Sequence, residues 1–205
     1  MFIVIEGGDA SGKTTLIEYI WASINGSNIP FTPDKTAFLR SPTEPFADIW
    51  RSIISSKIDN LTRFMFFRTI HQNDMANVRK ALESGQNVIL ERYLYSTEAF
   101  NYTLDNLRNI ADKNLRSENH LTYNGLIKPD LGVLLDVSDD LREKRLSERP
   151  DSERSPWEKP EFQIPFNEKL REIARREKLL VIDTGKMSRQ EMAYRVIAEI
   201  IQHGK

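Results

Sequence analysis

Short β-branched runs alternate with longer stretches of helical periodicity along this chain of 205 residues. Phe2-Ile3-Val4-Ile5 is apolar at every position and stops at Gly7-Gly8, as a strand buried on both faces does. Leu16, Ile17, Ile20, Trp21 and Ile24 then share one face of a helix over 13–24, which Asn25-Gly26-Ser27-Asn28 ends. A second strand is expected over 35–40, a loop at Pro42 and Pro45, and a helix over 46–56. The longest helical pattern, 60–84, carries Leu61, Phe64, Met65, Phe67, Ile70, Met75, Val78 and Leu82, with Gly85 as its C-cap. Further strands are expected over 87–90, 132–135 and 179–182, and helices over 96–118, 138–148 and 189–202. Such alternation predicts an α/β fold with a parallel sheet covered on both faces. Residues 147–165 show no clear periodicity: Pro150, Pro156, Pro160 and Pro165 interrupt Arg149, Asp151, Glu153 and Arg154. This segment is expected to be a lid or a surface loop within a single domain spanning the chain.

Composition narrows the function classes. Lys and Arg number 29 against 30 Asp and Glu, a formal net charge of −1, which argues against a nucleic-acid coat or a polybasic membrane protein. The chain has no cysteine, which excludes disulfides, thiol catalysis and cysteine-ligated zinc; its 3 His are scattered. No apolar run approaches the roughly 20 residues of a membrane span, and no basic segment precedes the first apolar run, so a cytoplasmic protein is expected.

The chemistry is concentrated at one motif. Gly7-Gly8-Asp9-Ala10-Ser11-Gly12-Lys13-Thr14 satisfies Gly-x-x-x-x-Gly-Lys-[Ser/Thr] between a predicted strand and a predicted helix. Glycines there let successive backbone N–H groups converge on phosphate oxygens, and the following helix adds its positive dipole end. Lys13 reaches the β- and γ-phosphates, and the Thr14 hydroxyl suits Mg²⁺. Neither the Asn-Lys-x-Asp signature of a GTPase switch nor the Leu-Ser-Gly-Gly segment of a transport cassette is present. A small-molecule kinase is the class that remains.

Glu6-Gly7-x-Asp9-x-x-Gly12-Lys13-Thr14, then Glu91-Arg92-Tyr93-Leu94-Tyr95-Ser96-Thr97-Glu98-Ala99-Phe100, then Lys128-Pro129-Asp130-Leu131 and Leu134-Leu135-Asp136-Val137 follow one another in order and spacing. On these motifs the chain resembles the thymidylate kinase family over most of its length. The resemblance implies a three-layer α/β/α P-loop NTPase fold. Its five-stranded parallel sheet would have the order 2-3-1-4-5, with a lid segment over the nucleotide. It also implies transfer of phosphate from ATP to dTMP with Mg²⁺, and a homodimer.

Site residues follow from the same resemblance. The implied ATP-binding set is Gly7, Gly8, Asp9, Ala10, Ser11, Gly12, Lys13, Thr14, Thr15 and Arg145. Thr15 is simply the next helical residue, and Arg145 matches a position that stacks on adenine. Thr14 and Glu91 form the implied metal pair; Glu91 replaces the family's usual Asp and adds a methylene. Arg92 corresponds to the arginine at the transferring phosphoryl group, where a cation neutralises developing charge. Because Ala10 stands where some relatives carry a basic P-loop residue, Arg149 or Arg154 is expected to supply a catalytic arginine from the lid. On the acceptor side Arg40 matches the arginine that grips the monophosphate, Asp9 the carboxylate near the 3′-hydroxyl, Phe67 the aromatic that stacks on thymine, and Phe100 the aromatic beside the sugar. His71 stands where an arginine usually bonds the thymine edge, with Arg68 one turn earlier and Gln72 beside it. Arg68 thus joins His71 as an expected base contact.

Three alternatives follow from the same residues. With His71 in place of the usual arginine, a monophosphate kinase with altered base specificity is one. A deoxynucleoside kinase carries Glu-Arg after the third strand and Glu-Pro with a following Trp after the second, as Glu91-Arg92 and Glu44-Pro45…Trp50 do. Glu44 would then be the base for a sugar hydroxyl. A non-catalytic nucleotide-binding scaffold is disfavoured by the intact set of Lys13, Thr14, Glu91 and Arg92.

Overall fold

The structure, a computed structural model, describes residues 1–25, 32–103, 125–150 and 156–203. Its strands are β1 (Phe2–Gly7), β2 (Thr36–Arg40), β3 (Asn87–Glu91), β4 (Leu131–Asp136) and β5 (Leu180–Asp183). Among the described residues the α-helices are α1 (Lys13–Ile24), α2 (Trp50–Ser55), α3 (Asn60–Glu83), α4 (Leu94–Thr103), α5 (Asp139–Ser147), α6 (Pro160–Glu177) and α7 (Arg189–His203). Short 3-10 turns cover Pro33–Lys35 and Pro156–Glu158. All strand pairs are parallel, and the sheet order is β2-β3-β1-β4-β5.

β1, β3 and β4 divide their side chains between two cores. Phe2 and Val4 face one, together with Val88, Leu90 and Leu134, under α3, α4 and α6. Ile3 and Ile5 face the other, with Val133, Leu135 and Ile182, under α1 and α7. This double burial explains why the strands are apolar without alternation. It also positions the site. β1 and β3 are neighbours, yet the helix after β1 lies on one face and the helix after β3 on the other. The chain therefore diverges above their carboxyl ends and leaves a crevice there.

Helix caps reflect local chemistry. The Asp59 side chain accepts from Thr62 N at 2.9 Å to start α3, and Ser138 caps α5 through Leu141 N.

Three sequence expectations need correction. The helix expected over 46–56 is confined to Trp50–Ser55, with turns before it. The helix expected over 96–118 is α4, which begins at Leu94; positions 104–118 lie outside the described residues. The stretch 147–165 is not aperiodic throughout, because Pro160 begins an 18-residue helix. Phe162, Phe166, Leu170 and Ile173 mark its buried face, and Pro160 takes the first-turn position that lacks a hydrogen-bonding requirement. Pro165 inside the helix disguised that pattern, since it removes a backbone donor where a helix normally uses one.

Candidate active site

The turn between β1 and α1 is shaped by close approach. Gly7 has φ +152°, and a Cβ there would lie 2.7 Å from the Leu135 carbonyl oxygen of β4. Gly12, at φ +94°, faces open space and leads directly into α1, so the first N–H groups of that helix point into the crevice. Ala10 is also left-handed, at φ +59°. Ser11 is buried with its hydroxyl unpartnered inside the loop.

Lys13 folds back over this turn. Its Nζ donates to the carbonyls of Gly7 at 3.0 Å and Gly8 at 2.8 Å. Burial, and then the nearby Arg92 guanidinium, lower its pKa to about 7, against the opposing pull of Asp9, Glu91 and Glu6. The Thr14 hydroxyl lies 3.4 Å from both Glu91 carboxylate oxygens. Hydroxyl and carboxylate are hard oxygen donors, and no group of three or more His, Cys, Asp or Glu could hold a metal among the described residues. That donor set fits a cation such as Mg²⁺, which takes one or two protein oxygens and completes its shell with water and phosphate. The longer side chain of Glu91 thus still spans from β3 to Thr14.

Arg92 follows β3 with a left-handed backbone, φ +66°, an uncommon conformation for a residue with a Cβ. The turn is fixed from both sides. Arg92 N donates to the Ile5 carbonyl at 3.0 Å, and Tyr93 N donates to the wholly buried Glu6 carboxylate at 2.8 Å. The guanidinium donates to Gly7 O at 3.3 Å and Ser96 Oγ at 3.4 Å, and forms an ion pair with Asp9. Burial alone would raise the Asp9 carboxyl, but Arg92, Lys13 and Arg149 together hold it below the usual range.

Above the loop sits α6. Buried Gln163 accepts from Asp9 N at 3.3 Å and donates to the Asp9 carboxylate at 3.1 Å and the Trp157 carbonyl at 2.9 Å. No sequence signal marked Gln163, because its function depends on a helix that the periodicity concealed. Arg149 lies 3.7 Å from Glu158 and close enough to Asp9 to affect its charge. Arg154 lies outside the described residues. Arg145 donates to the Ala10 carbonyl at 3.1 Å and to Thr184 Oγ1 and O, each at 3.0 Å, which fastens the loop to the end of β5. Thr15 is half-buried on α1.

The acceptor-side candidates converge less completely. Arg40 ends β2 opposite Glu91 in register, with Nε 3.9 Å from its carboxylate and the side chain 67% exposed. Phe67 meets Phe100 edge-to-face at 5.7 Å, while Phe66 turns toward Phe46 at 5.9 Å. Trp157 and Phe162 pack on Phe100 at 5.1 and 5.0 Å, so the turn at Pro156–Glu158, α6 and α4 share one aromatic cluster. His71 departs from the expected arrangement: it is 2% exposed, with Nε2 2.8 Å from Thr97 Oγ1. Its ring is part of the interior and ties α3 to α4. Arg68 is half-buried, and burial lowers its pKa despite the opposing Tyr93. Glu44 has an exposed side chain, and its carbonyl accepts from Asn73 at 2.8 Å.

A parallel sheet in this order, with a phosphate loop after the central strand and a guanidinium after its neighbour, defines a P-loop kinase fold. The family model described as thymidylate kinase matches residues 5–193. The chain therefore belongs to the thymidylate kinase family, whose members are nucleoside monophosphate kinases. A thymidylate kinase of Sulfurihydrogenibium sp. (strain YO3AOP1) is 31% identical over 214 residues, covering 98% of this chain and 96% of that protein. One from Leptospira borgpetersenii serovar Hardjo-bovis is 30% identical over 156 residues, 74% of this chain and 71% of its own. The crystal structure of thymidylate kinase from Ehrlichia chaffeensis shares the fold with a TM-score of 0.69 at 20% identity, covering 98% of each chain. These relatives do not favour the deoxynucleoside kinase alternative. Among the described residues, no helix is long and apolar enough to cross a membrane.

Proposed function

We propose that the protein transfers the γ-phosphoryl group of ATP to the phosphate of dTMP, giving ADP and dTDP. The observation that carries this reading is the position of Arg92, bonded at once to the phosphate loop through Gly7 and to Asp9. A cation held there faces both a nucleotide in the loop and an acceptor arriving from the β2 side. An ionised oxygen of the acceptor phosphate attacks Pγ, and the bond from Pγ to the β-phosphate oxygen breaks. No base is needed, because the attacking oxygen carries no proton to remove.

The backbone N–H groups of residues 8–14 and Lys13 bind the donor phosphates. Lys13 exchanges its bonds to the Gly7 and Gly8 carbonyls for phosphate oxygens. Arg92 and Arg149 neutralise charge on the equatorial oxygens as it develops. Thr14 and Glu91 would hold Mg²⁺, which would supply positive charge to neutralise the donor phosphates. Arg145 flanks the adenine, and Arg40 grips the acceptor phosphate as a planar fork. Phe67 and Phe100 line the nucleoside, and Asp9 takes the sugar hydroxyl. Arg68 meets the edge of the base, since His71 is committed to Thr97. The same reading includes a cytoplasmic homodimer formed through helices flanking the core, a contact to which the exposed Met65 of α3 is suited.

The test is product identification by mass after incubation with Mg-ATP and dTMP, dUMP, dCMP, dGMP, UMP, thymidine or deoxycytidine. The expected product is dTDP, with little turnover of UMP or nucleosides. A monophosphate formed from a nucleoside would overturn the reading and make Glu44 the base.

A further inference from the structure

A buried carboxylate lies beneath the acceptor side and takes no part in the steps above. Asp74, in the middle of α3, is 0% exposed. It accepts three hydrogen bonds from the loop that leaves β2: Ser41 Oγ at 2.5 Å, Thr43 N at 2.8 Å and Thr43 Oγ1 at 2.7 Å. Two further α3 side chains hold the same loop. Asn73 donates to Thr43 Oγ1 at 3.0 Å and to the Glu44 carbonyl at 2.8 Å, and Asn77 donates to Thr43 Oγ1 at 2.9 Å. On its other side Asp74 faces His71 Nδ1 at 3.9 Å, and His71 reaches Thr97 of α4.

We infer that Asp74 is a positioning residue for the acceptor phosphate: it fixes the loop 41–44, and with it the direction in which Arg40 projects. The inference rests on the reading of Arg40 given above.

Physical reasoning supports a dedicated role. Burying a carboxylate is unfavourable unless hydrogen bonds replace its water. Among the described residues its hydrogen bonds come from one short loop, with His71 of α3 beside it at 3.9 Å, and none comes from the phosphate loop. Burial would raise the Asp74 carboxyl, yet the His71, Ser41 and Thr43 contacts hold it below the usual range. Among the described residues Arg40 itself meets only Glu91, at 3.9 Å, so its aim comes from the backbone that follows it. That backbone is anchored at Ser41 N, which donates to the Glu91 carbonyl at 3.0 Å, and then at Asp74. His71 and Thr97 extend the same cluster to the helix that carries Phe100, so three elements around the acceptor are referenced to one buried point.

The test combines kinetics with hydrogen exchange on the full chain. Asp74→Ala is expected to raise the KM for dTMP about tenfold while the KM for ATP stays within about twofold. Asp74→Asn keeps an acceptor for Thr43 but turns an amide toward Ser41, so it should fall between, at about threefold. Ser41→Ala, a surface-side change that spares the helix, should give a smaller shift of the same kind. Combined with Arg40→Ala, Asp74→Ala should add less than its separate effect, because the fork it directs is gone. Equal rises in both KM values, or a lower melting temperature with unchanged KM values, would overturn the inference. Hydrogen exchange over 41–44 gives a readout that needs no turnover: slow in the wild type and fast in Asp74→Ala. Fast exchange in the wild type would overturn the inference whatever the substrate proves to be. An unchanged dTMP KM in Arg40→Ala alone would instead overturn the role given to Arg40. The loop assignment would then stand or fall on exchange and on the Asp74 variants.

Discussion

The proposed donor and acceptor sides of the crevice are built in different ways. The donor side is backbone: residues 7–14 run from the end of β1 through one turn into α1, pressed against β4 so closely that a Cβ at Gly7 would meet a carbonyl at 2.7 Å. The acceptor side is side chains from four separated segments: Arg40, Asp74, Arg92 and Phe100 come from β2, α3, the β3–α4 turn and α4. Backbone geometry is set by local sequence, whereas the second kind of site exists only after the sheet has assembled. The two sides meet at the Asp9–Arg92 pair, where one member belongs to each.

Variants can break this division at its strongest points first. Lys13→Ala and Arg92→Ala should each lower kcat by about 10²–10³-fold, since each removes a fixed positive charge from the transferring group. Arg92→Lys should not restore the loss, because an ammonium cannot reproduce the fork that reaches Gly7, Ser96 and Asp9 together. Steady-state rates on folded protein check both. Arg149→Ala should lower kcat by about 10-fold to 10²-fold with little change in either KM, as expected of a charge that acts mainly in the closed transition state. Wild-type turnover in this variant would remove Arg149 from the mechanism.

The donor side should also reveal itself through protons. With its pKa lowered to about 7, Lys13 is largely neutral at pH 8 in the free protein, and bound phosphate restores its charge. Nucleotide binding at pH 8 should therefore take up close to one proton and be about fivefold weaker than at pH 7. Calorimetry in buffers of different ionisation enthalpy measures the uptake, which Lys13→Ala should abolish. For stability, the unfolded lysine has the higher pKa, near 10.4, so the unfolded chain binds more protons between about pH 7 and that value. The Lys13 contribution to stability of the ligand-free protein therefore rises with pH across that window. The smallest kinetic effect is expected at the brace between α4 and α6. Arg176 meets buried Glu98 with paired contacts of 2.6 and 2.7 Å. Arg176→Ala should lower stability by about 1–2 kcal/mol in denaturant titration, given the partly exposed arginine, and leave both KM values unchanged.

The same contrast explains what could be read from the chain. The strands themselves, the phosphate loop and the Glu91-Arg92 turn were legible because each depends on neighbours in sequence, whereas the strand order, which pairs β1 with β3 and β4, came from the family resemblance. Helix α6 (Pro160–Glu177) was not legible, because Pro165 interrupts a helix whose apolar face is otherwise regular. With that helix hidden, Gln163 and its grip on Asp9 were hidden too. His71 shows another limit. Its spacing from Phe67 places it near the base, but the packing of α3 on α4 turns it inward to Thr97. Asp74 carries no motif at all, and its partners lie more than thirty residues away in the chain.

In this reading two separately built half-sites meet at Arg92. Two-substrate initial-rate kinetics on Arg40→Ala and Arg145→Ala test it most directly. A crossed result is expected: Arg40→Ala raises the KM for dTMP about tenfold or more and leaves that for ATP unchanged, while Arg145→Ala raises the KM for ATP several-fold and leaves that for dTMP unchanged. Either variant moving both KM values in equal measure would contradict it.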